Sequence, residues 1–405
     1  MKAVDRRQIK LAAEAMVGAM RMSDPKSFLI DFSACLYAVC AGGPAEALRQ
    51  VMMEEPQQGL EHIYWRYPQL PQREYRREQG ICSASQECRG YVGEIMRLID
   101  AEAGSRFEQA ARVYHAVFDS MIQERLIEDF ITPESLCDLM VQMTNPMPRE
   151  QVADPACGSG RFLAAVHRQC PDCILTGMDV QPEFRELAFF NLFFSGRTEA
   201  EIWMDDFLSG GEKLPKADLI LSNPPYTDKS ELTVRFTDRI LHQLKDGGRC
   251  GLLVPQGFLT NSSSYLVRDG RRFILDQCRL EAVISLPRKI YRPYMESYSS
   301  LILIRKSRTY GDNYPVFISI LPECEETDPR LADQIYRAGM KRILSQWKRY
   351  QEGGSPDEEI ARVVSSEDMR SHDLMLAAET YWTEGYVPAG NEIDELLRGM
   401  EKARN

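Results

Sequence analysis

The chain is predicted to be α/β, built on a Rossmann-like open sheet of seven strands, with a helical N-terminal domain and a small, mostly helical C-terminal extension. Three observations lead there. Val152-Ala153-Asp154-Pro155-Ala156-Cys157-Gly158-Ser159-Gly160-Arg161-Phe162-Leu163 reads as a strand breaking into a Gly-rich turn and then a helix. Gly158 and Gly160 let the backbone approach a ligand where a Cβ would collide. The following strand, 173–180, ends at Asp179, about twenty residues past the glycines, where a doubly wound fold places a carboxylate for ribose hydroxyls. From there strands alternate with helices through residue 305.

Residues 1–125 carry helical periodicity and few strand signals. The apolar stretch 28–41 is a helix stopped by Gly42-Gly43, and 90–125 holds two more helices. Between them, His62-Ile63-Tyr64-Trp65-Arg66-Tyr67-Pro68 and Arg73-Glu74-Tyr75-Arg76-Arg77 mix aromatics with bases and read as a packed loop, with contact to DNA the alternative. At 129–136 a loop feeds a helix with Thr132 as N-cap and Pro133 in the first turn. Helices at 183–196, 231–244 and 267–277 interleave with strands at 201–204, 218–221, 250–254, 280–286 and 299–305. Past Thr309 the pattern weakens: a helix over 331–350, a Gly/Pro linker over 351–357 and a terminal helix over 391–402 are expected. The resulting division is 1–125, 126–310 and 311–405, the last a candidate surface for a partner subunit.

Composition narrows the function classes. Hydrophobic residues at 44% and charged residues at 27% are those of a globular protein with a core. No apolar run reaches membrane-spanning length, and residues 1–10 are too polar for a signal peptide, so the expected location is the cytoplasm. Eleven cysteines without framework spacing fit reduced thiols. Cys170 and Cys173 form one CxxC, but no second pair completes a zinc set, so no metal is expected. The net charge of −11 argues against coating nucleic acid by bulk charge. Locally, ten bases between 265 and 308 face four acids, which reads either as a solvated face or as a phosphate-contacting surface.

The chemistry concentrates at Asn223-Pro224-Pro225-Tyr226, directly after the strand 218–221. Neither proline carries a backbone N–H, and both have fixed φ, so the turn offers carbonyl acceptors without competing donors. Asn223 adds a side-chain carbonyl and Tyr226 a π-face for a base. Two acceptors can hold both hydrogens of an exocyclic amine and draw its nitrogen towards a geometry in which the lone pair attacks an electrophile.

Taken together, the segment 130–133, Asp154 to Gly160, Asp179, Asp205-Asp206-Phe207 and Asn223 to Tyr226 resemble the gamma-order methyltransferases acting on adenine N6 of DNA, and within them the modification subunit of type I restriction-modification systems. The resemblance continues through Val254-Pro255-Gln256-Gly257-Phe258-Leu259 and Leu286-Pro287-Arg288-Lys289-Ile290-Tyr291. It covers 128–308 and, more weakly, 363–381. It implies the S-adenosylmethionine-dependent methyltransferase fold and S-adenosyl-L-methionine as cofactor. By the same resemblance Phe130, Thr132 and Pro133 line the cofactor pocket, and Asp154, Ala156, Gly158 and Gly160 wrap its methionine end. Asp179 holds the ribose, and Asp206 and Phe207 grip the adenine. Asn223 and the Pro224 carbonyl, stiffened by Pro225, hold the target amine, while Tyr226 and Tyr291 stack on a flipped base. Arg161 stands where a small residue is frequent in the family. No large target-recognition segment follows residue 308, so sequence specificity on double-stranded DNA is expected from a separate specificity subunit, with a restriction subunit as a further candidate partner. Methylation of RNA or protein glutamine, and a non-catalytic scaffold that keeps the fold, are the competing readings.

Overall fold

The computed structural model describes residues 6–20, 22, 24–43, 48, 56–71, 80–101, 105–127, 131–197, 200–210, 213–225, 231–292, 295–307 and 313–382. The expected helix over 391–402 lies outside them. The chain forms two compact units.

The first unit gathers Met1–Phe130, Gly158–Gly160 and Gln181–Ile202. Its helices are Arg6–Gly18, Pro25–Cys40, Pro56–Arg66, Gln86–Ala101, Arg106–Gln123 and Pro182–Phe194. Pro25–Cys40 starts where Asp24 accepts a hydrogen bond from the Ser27 amide at 3.0 Å. It is buried from Ser27 to Val39, and its buried Asp31 accepts from the Ile81 amide at 3.0 Å. Tyr37 packs on Phe193 with ring centroids 4.5 Å apart, and Tyr114 stacks on Phe194 at 4.7 Å. Of the aromatic stretches read as a loop, 62–66 is the end of a helix, where Ile63 turns into the core and Trp65 stands 78% exposed, and 73–77 lies outside the described residues.

The second unit gathers Ile131–Cys157, Arg161–Val180 and Trp203–Asn405. The sheet has strands β1 Gln151–Asp154, β2 Ile174–Asp179, β3 Glu201–Met204, β4 Ala217–Ser222, β5 Leu244–Pro255, β6 Arg279–Leu286, β7 Ser299–Arg305, β8 Pro315–Ile320 and β9 Ala361–Ser365. Their order is β3-β2-β1-β4-β5-β7-β6-β8-β9. β1 pairs in parallel with β2 and β4, and β4 with β5, whereas β7 runs antiparallel between β5 and β6. β4, β5, β6 and β7 are buried along nearly continuous apolar runs, which a sheet covered on both faces requires.

Among the described residues nine strands, not seven, make this sheet, and the C-terminal extension supplies the extra two. β8 pairs in parallel with β6, and β9 closes the edge antiparallel to β8. Between them runs the helix Pro329–Gln351, whose Trp347 packs edge-on to Phe317 of β8 and donates its indole N–H to the Met143 carbonyl at 3.0 Å. The extension is therefore part of the core rather than a helical appendage. Next to the Trp347 contact, Arg249 makes a bidentate ion pair with Glu150, both oxygens at 2.8 Å, and also donates to the Thr144 and Asn145 carbonyls. All eleven cysteines are free thiols. Among the described residues no helix is long and apolar enough to cross a membrane.

Candidate active site

Strand order reverses between β1 and β4, where the chain has run out to β3 and returns. A crevice forms at the carboxyl ends of strands at such a reversal. Register pairs Ala153 with Ile220, which brings Asp154 at the end of β1 beside Ser222 at the end of β4. Asp154 is 1% exposed. Its Oδ1 accepts from the Ala156 amide at 3.1 Å and from Ser222 Oγ at 2.9 Å, while its Oδ2 is buried with no hydrogen-bond partner among the described residues. Burial pushes the Asp154 carboxyl up to about 7, against the pull of those two hydrogen bonds and with the Asp179 charge adding to the rise. A carboxyl left with one vacant acceptor in the interior is costly unless a donor arrives.

One residue further, Asn223 leaves β4. Its Nδ2 donates to Thr132 Oγ1 at 3.0 Å, and its Oδ1 is buried without a partner among the described residues. Thr132 does not cap the helix that follows. That helix is Glu134–Thr144, its N-cap is Pro133, and no side chain bonds the cap. The Pro133 carbonyl accepts instead from the Leu136 and Cys137 amides, and Pro133 itself is half-buried. The Thr132 carbonyl accepts from Arg161 Nη1 at 3.1 Å. Pro224 is buried and Pro225 exposed. Phe130 and Tyr226, the aromatics expected on either side of this turn, lie outside the described residues.

The two glycines have different surroundings. Gly158 has φ +50° with open space around the position of a Cβ; Gly160 has φ +76°, and a Cβ there would meet the Ala188 Cα and Cβ at 3.0 Å. Asn191 ties this turn down, donating to the Ser159 carbonyl at 3.0 Å. Asp179 ends β2 half-buried, and its carbonyl accepts from the Asp205 amide at 3.1 Å.

Three expected contacts find other partners. Asp206 is exposed, and its carboxylate is taken by Ser209 Oγ at 2.7 Å and the Leu208 amide at 2.9 Å, which hold its pKa below the usual range. Phe207 is 2% exposed, with its ring against Phe236 at 5.9 Å and Arg239 over it at 5.5 Å. Tyr291 is 1% exposed and hydrogen-bonded to Ser299 Oγ at 2.9 Å, so its ring is core rather than an open stacking face.

The described bases of the run after 265 are engaged within the chain. Arg268 pairs with Asp373, Arg272 with Asp269, Arg288 and Arg292 with Glu296, Lys289 with Glu325 and Arg305 with Glu281. Arg271 is fully buried, donating to the Phe258 and Asn261 carbonyls. Arg279 lies over the Tyr314 ring, and Lys306 donates to the Leu244 carbonyl. Arg308 lies outside the described residues. Asp373 and Glu325 come from the extension, where a count along 265–308 could not find them. Sequence reasoning also missed Ser222 beside Asp154 and Glu379, which accepts from Ser285 Oγ at 2.7 Å and Gln256 Nε2 at 3.1 Å at the ends of β5 and β6.

Strand order, reversal point and Asn-Pro-Pro turn together define the class, a methyltransferase-type doubly wound domain with an Asn-Pro-Pro turn at the end of β4. The chain belongs to the N-6 DNA Methylase family, which it matches over residues 110–386. It is 27% identical over 199 residues to the type I restriction enzyme StySPI methylase subunit of Salmonella potsdam, covering 40% of this chain and 37% of that protein. It is 30% identical over 115 residues to the release factor glutamine methyltransferase of Koribacter versatilis, covering 28% and 38%. The crystal structure of the type I restriction-modification system methyltransferase subunit from Streptococcus thermophilus superposes with a TM-score of 0.64 at 17% identity, over 93% of this chain and 99% of that one. The match thus spans little more than a third of the StySPI subunit's length.

Proposed function

We propose that this chain transfers a methyl group from S-adenosyl-L-methionine to N6 of an adenine flipped out of double-stranded DNA, as the modification subunit of a type I-like restriction-modification or defence system. The observation that carries the reading is Asn223 Oδ1, a buried acceptor with no partner among the described residues, set at the strand reversal and followed by two residues that cannot donate. A neutral amide oxygen and a proline carbonyl suit a nucleophile that is itself an amine. They hold its hydrogens without needing an acid or base of matched pKa.

The residues present fit the cofactor. Asp154 Oδ2 is an orphaned buried acceptor, and the Gly158 and Gly160 backbone leaves the approach that a charged amino-acid end needs. The cofactor supplies an already activated methyl group, so the chain's work is positioning. Asp154 would accept from the cofactor's amino group, Asp179 from its ribose, and the turn from Ala156 to Gly160 would lie along its methionine end. Tyr226 would return about 1–3 kcal/mol by stacking on the base, offsetting the cost of a few kcal/mol for rotating it out. Tyr291 would support this wall from within the core. The division 1–125, 126–310 and 311–405 would then separate a helical N-terminal domain, the catalytic domain and an extension, with the chain working in the cytoplasm.

Because the bases at 268–306 are already committed within this chain, we place the sequence-reading surface on a separate specificity subunit, with a restriction subunit as a further partner. The test is a map of N6-methyladenine in cells carrying the native locus, against the same cells with Asn223→Ala. Loss of methylation at one sequence motif supports the reading; an unchanged map with folded protein overturns it. The 30% identity to a glutamine methyltransferase favours one rival, a protein amide as acceptor. A transfer assay with duplex DNA, RNA and glutamine peptide side by side separates the two.

A further inference from the structure

Asparagine is a poor catalytic group unless something decides which way its amide faces, because the oxygen and the NH2 are nearly isosteric and opposite in hydrogen-bonding sense. In this chain the amide is anchored from 91 positions away, where Thr132 Oγ1 accepts from Asn223 Nδ2 at 3.0 Å. That hydroxyl is available because the helix Glu134–Thr144 takes Pro133, not Thr132, as its N-cap. The Thr132 backbone is held in turn by Arg161 Nη1, 3.1 Å from its carbonyl. Arg161 is the first residue of the helix that follows the glycine turn.

We infer that Thr132 and Arg161 are positioning residues for the methyl-accepting end of the site: the Thr132 hydroxyl fixes the Asn223 amide with Oδ1 turned to the incoming amine, and Arg161 fixes Thr132. This rests on the proposed methyl transfer and assigns the Thr132 side chain to the acceptor rather than to the cofactor. The two ends of the site then share one scaffold, since the residue directly after Gly160 holds the residue that orients Asn223. A long arginine at that position, where the family pattern favours a small residue, has a reason in the reach to the Thr132 carbonyl.

Thr132→Val keeps the shape and removes the hydroxyl, and Thr132→Ser restores it. In the full-length protein, methyl transfer by Thr132→Val should fall about 10- to 100-fold in kcat, the size expected when a reacting partner is misplaced. Its S-adenosylmethionine dissociation constant, read by calorimetry, should stay at the wild-type value, and Thr132→Ser should recover most of kcat. Arg161→Met should lower kcat in the same direction, and the double variant should be no worse than the worse single one, because both act through one amide. A readout independent of turnover is the side-chain NH2 signal of Asn223 in asparagine-15N-labelled protein, identified by its loss in Asn223→Asp. It should be protected from exchange in wild type and Thr132→Ser and unprotected in Thr132→Val. An unchanged signal in Thr132→Val, or a drop in cofactor affinity matching the drop in kcat, overturns the inference. The NH2 signal decides it even if wild type proves inactive on DNA, an outcome that would count against the proposed function alone.

Discussion

The Asp154 carboxyl and the Ser222 hydroxyl, 68 positions apart in sequence, meet at 2.9 Å across the gap between β1 and β4. Through them the residue before Asn223 is bonded to the residue that opens the glycine turn. The pair has an unusual titration, because burial raises Asp154 from 3.8 to about 7. Between those values the folded chain keeps a proton that the unfolded chain has released, so this group's stability contribution is present below pH 4 and lost as pH rises through 7. Asp154→Asn, which resembles the protonated form, should remove that slope. Urea unfolding at pH 5 and pH 8 checks it: the gain of Asp154→Asn over wild type should be larger at pH 8, and a larger gain at pH 5 would contradict the burial argument.

Asn223→Ala should reduce methyl transfer by about 10²-fold or more, the scale of losing one preorganised polar group at a reacting centre. Cofactor affinity should be unchanged, since the side chain faces the acceptor. Single-turnover transfer and calorimetry on the same preparation separate the two; a comparable loss of cofactor binding would place Asn223 at the wrong end of the site.

Asp179→Ala should do the reverse. Losing charge-assisted hydrogen bonds to a ribose costs about 1.5–3 kcal/mol, a dissociation constant raised about tenfold or more. Unchanged binding would remove Asp179 from that role.

Gly158→Ala and Gly160→Ala should differ. Both residues have positive φ, but only at Gly160 would the new methyl meet Ala188. Gly158→Ala should cost about 1–2 kcal/mol from backbone conformation alone, and Gly160→Ala measurably more, read as midpoints of denaturant unfolding. Equal losses would mean that the Ala188 contact relaxes freely.

Arg249→Met should destabilise the chain by about 3 kcal/mol, because it strands the Glu150 carboxylate and two carbonyls in a site where the side chains are only 11% and 20% exposed. Adding Glu150→Leu should return part of the loss. Failure of the second change to help would show that the carbonyl contacts, not the ion pair, carry the effect.

Much of this was readable from local pattern. Strand-turn-helix signals at 152–163 and the apolar run before Asn223 are encoded within a few neighbouring residues, and the structure places both at the strand reversal. What escaped was long-range. β9 is a five-residue edge strand whose alternate burial is weak, and the pairing of β8 with β6 is long-range, so the extension read as helical. Thr132 looked like an N-cap because Thr-Pro before a helix usually is one; only the fold brings Asn223 to its hydroxyl. Tyr291 and Phe207 were legible as aromatics near the site, but whether a ring faces a ligand or the core depends on Ser299, Phe236 and Arg239.

The pairing of the bases between 268 and 306 has a consequence in the thermodynamics of salt. A protein that binds a duplex by placing free cations on phosphates releases condensed counterions, and its affinity falls steeply as salt rises. A cation already paired with Glu281 or Asp373 has less left to exchange, and Arg288 and Arg292 share the single Glu296 carboxylate. Alone on DNA, this chain should therefore show a shallow dependence of log affinity on log salt, and whatever steepness the assembled enzyme has would be a property lent to it by its neighbours.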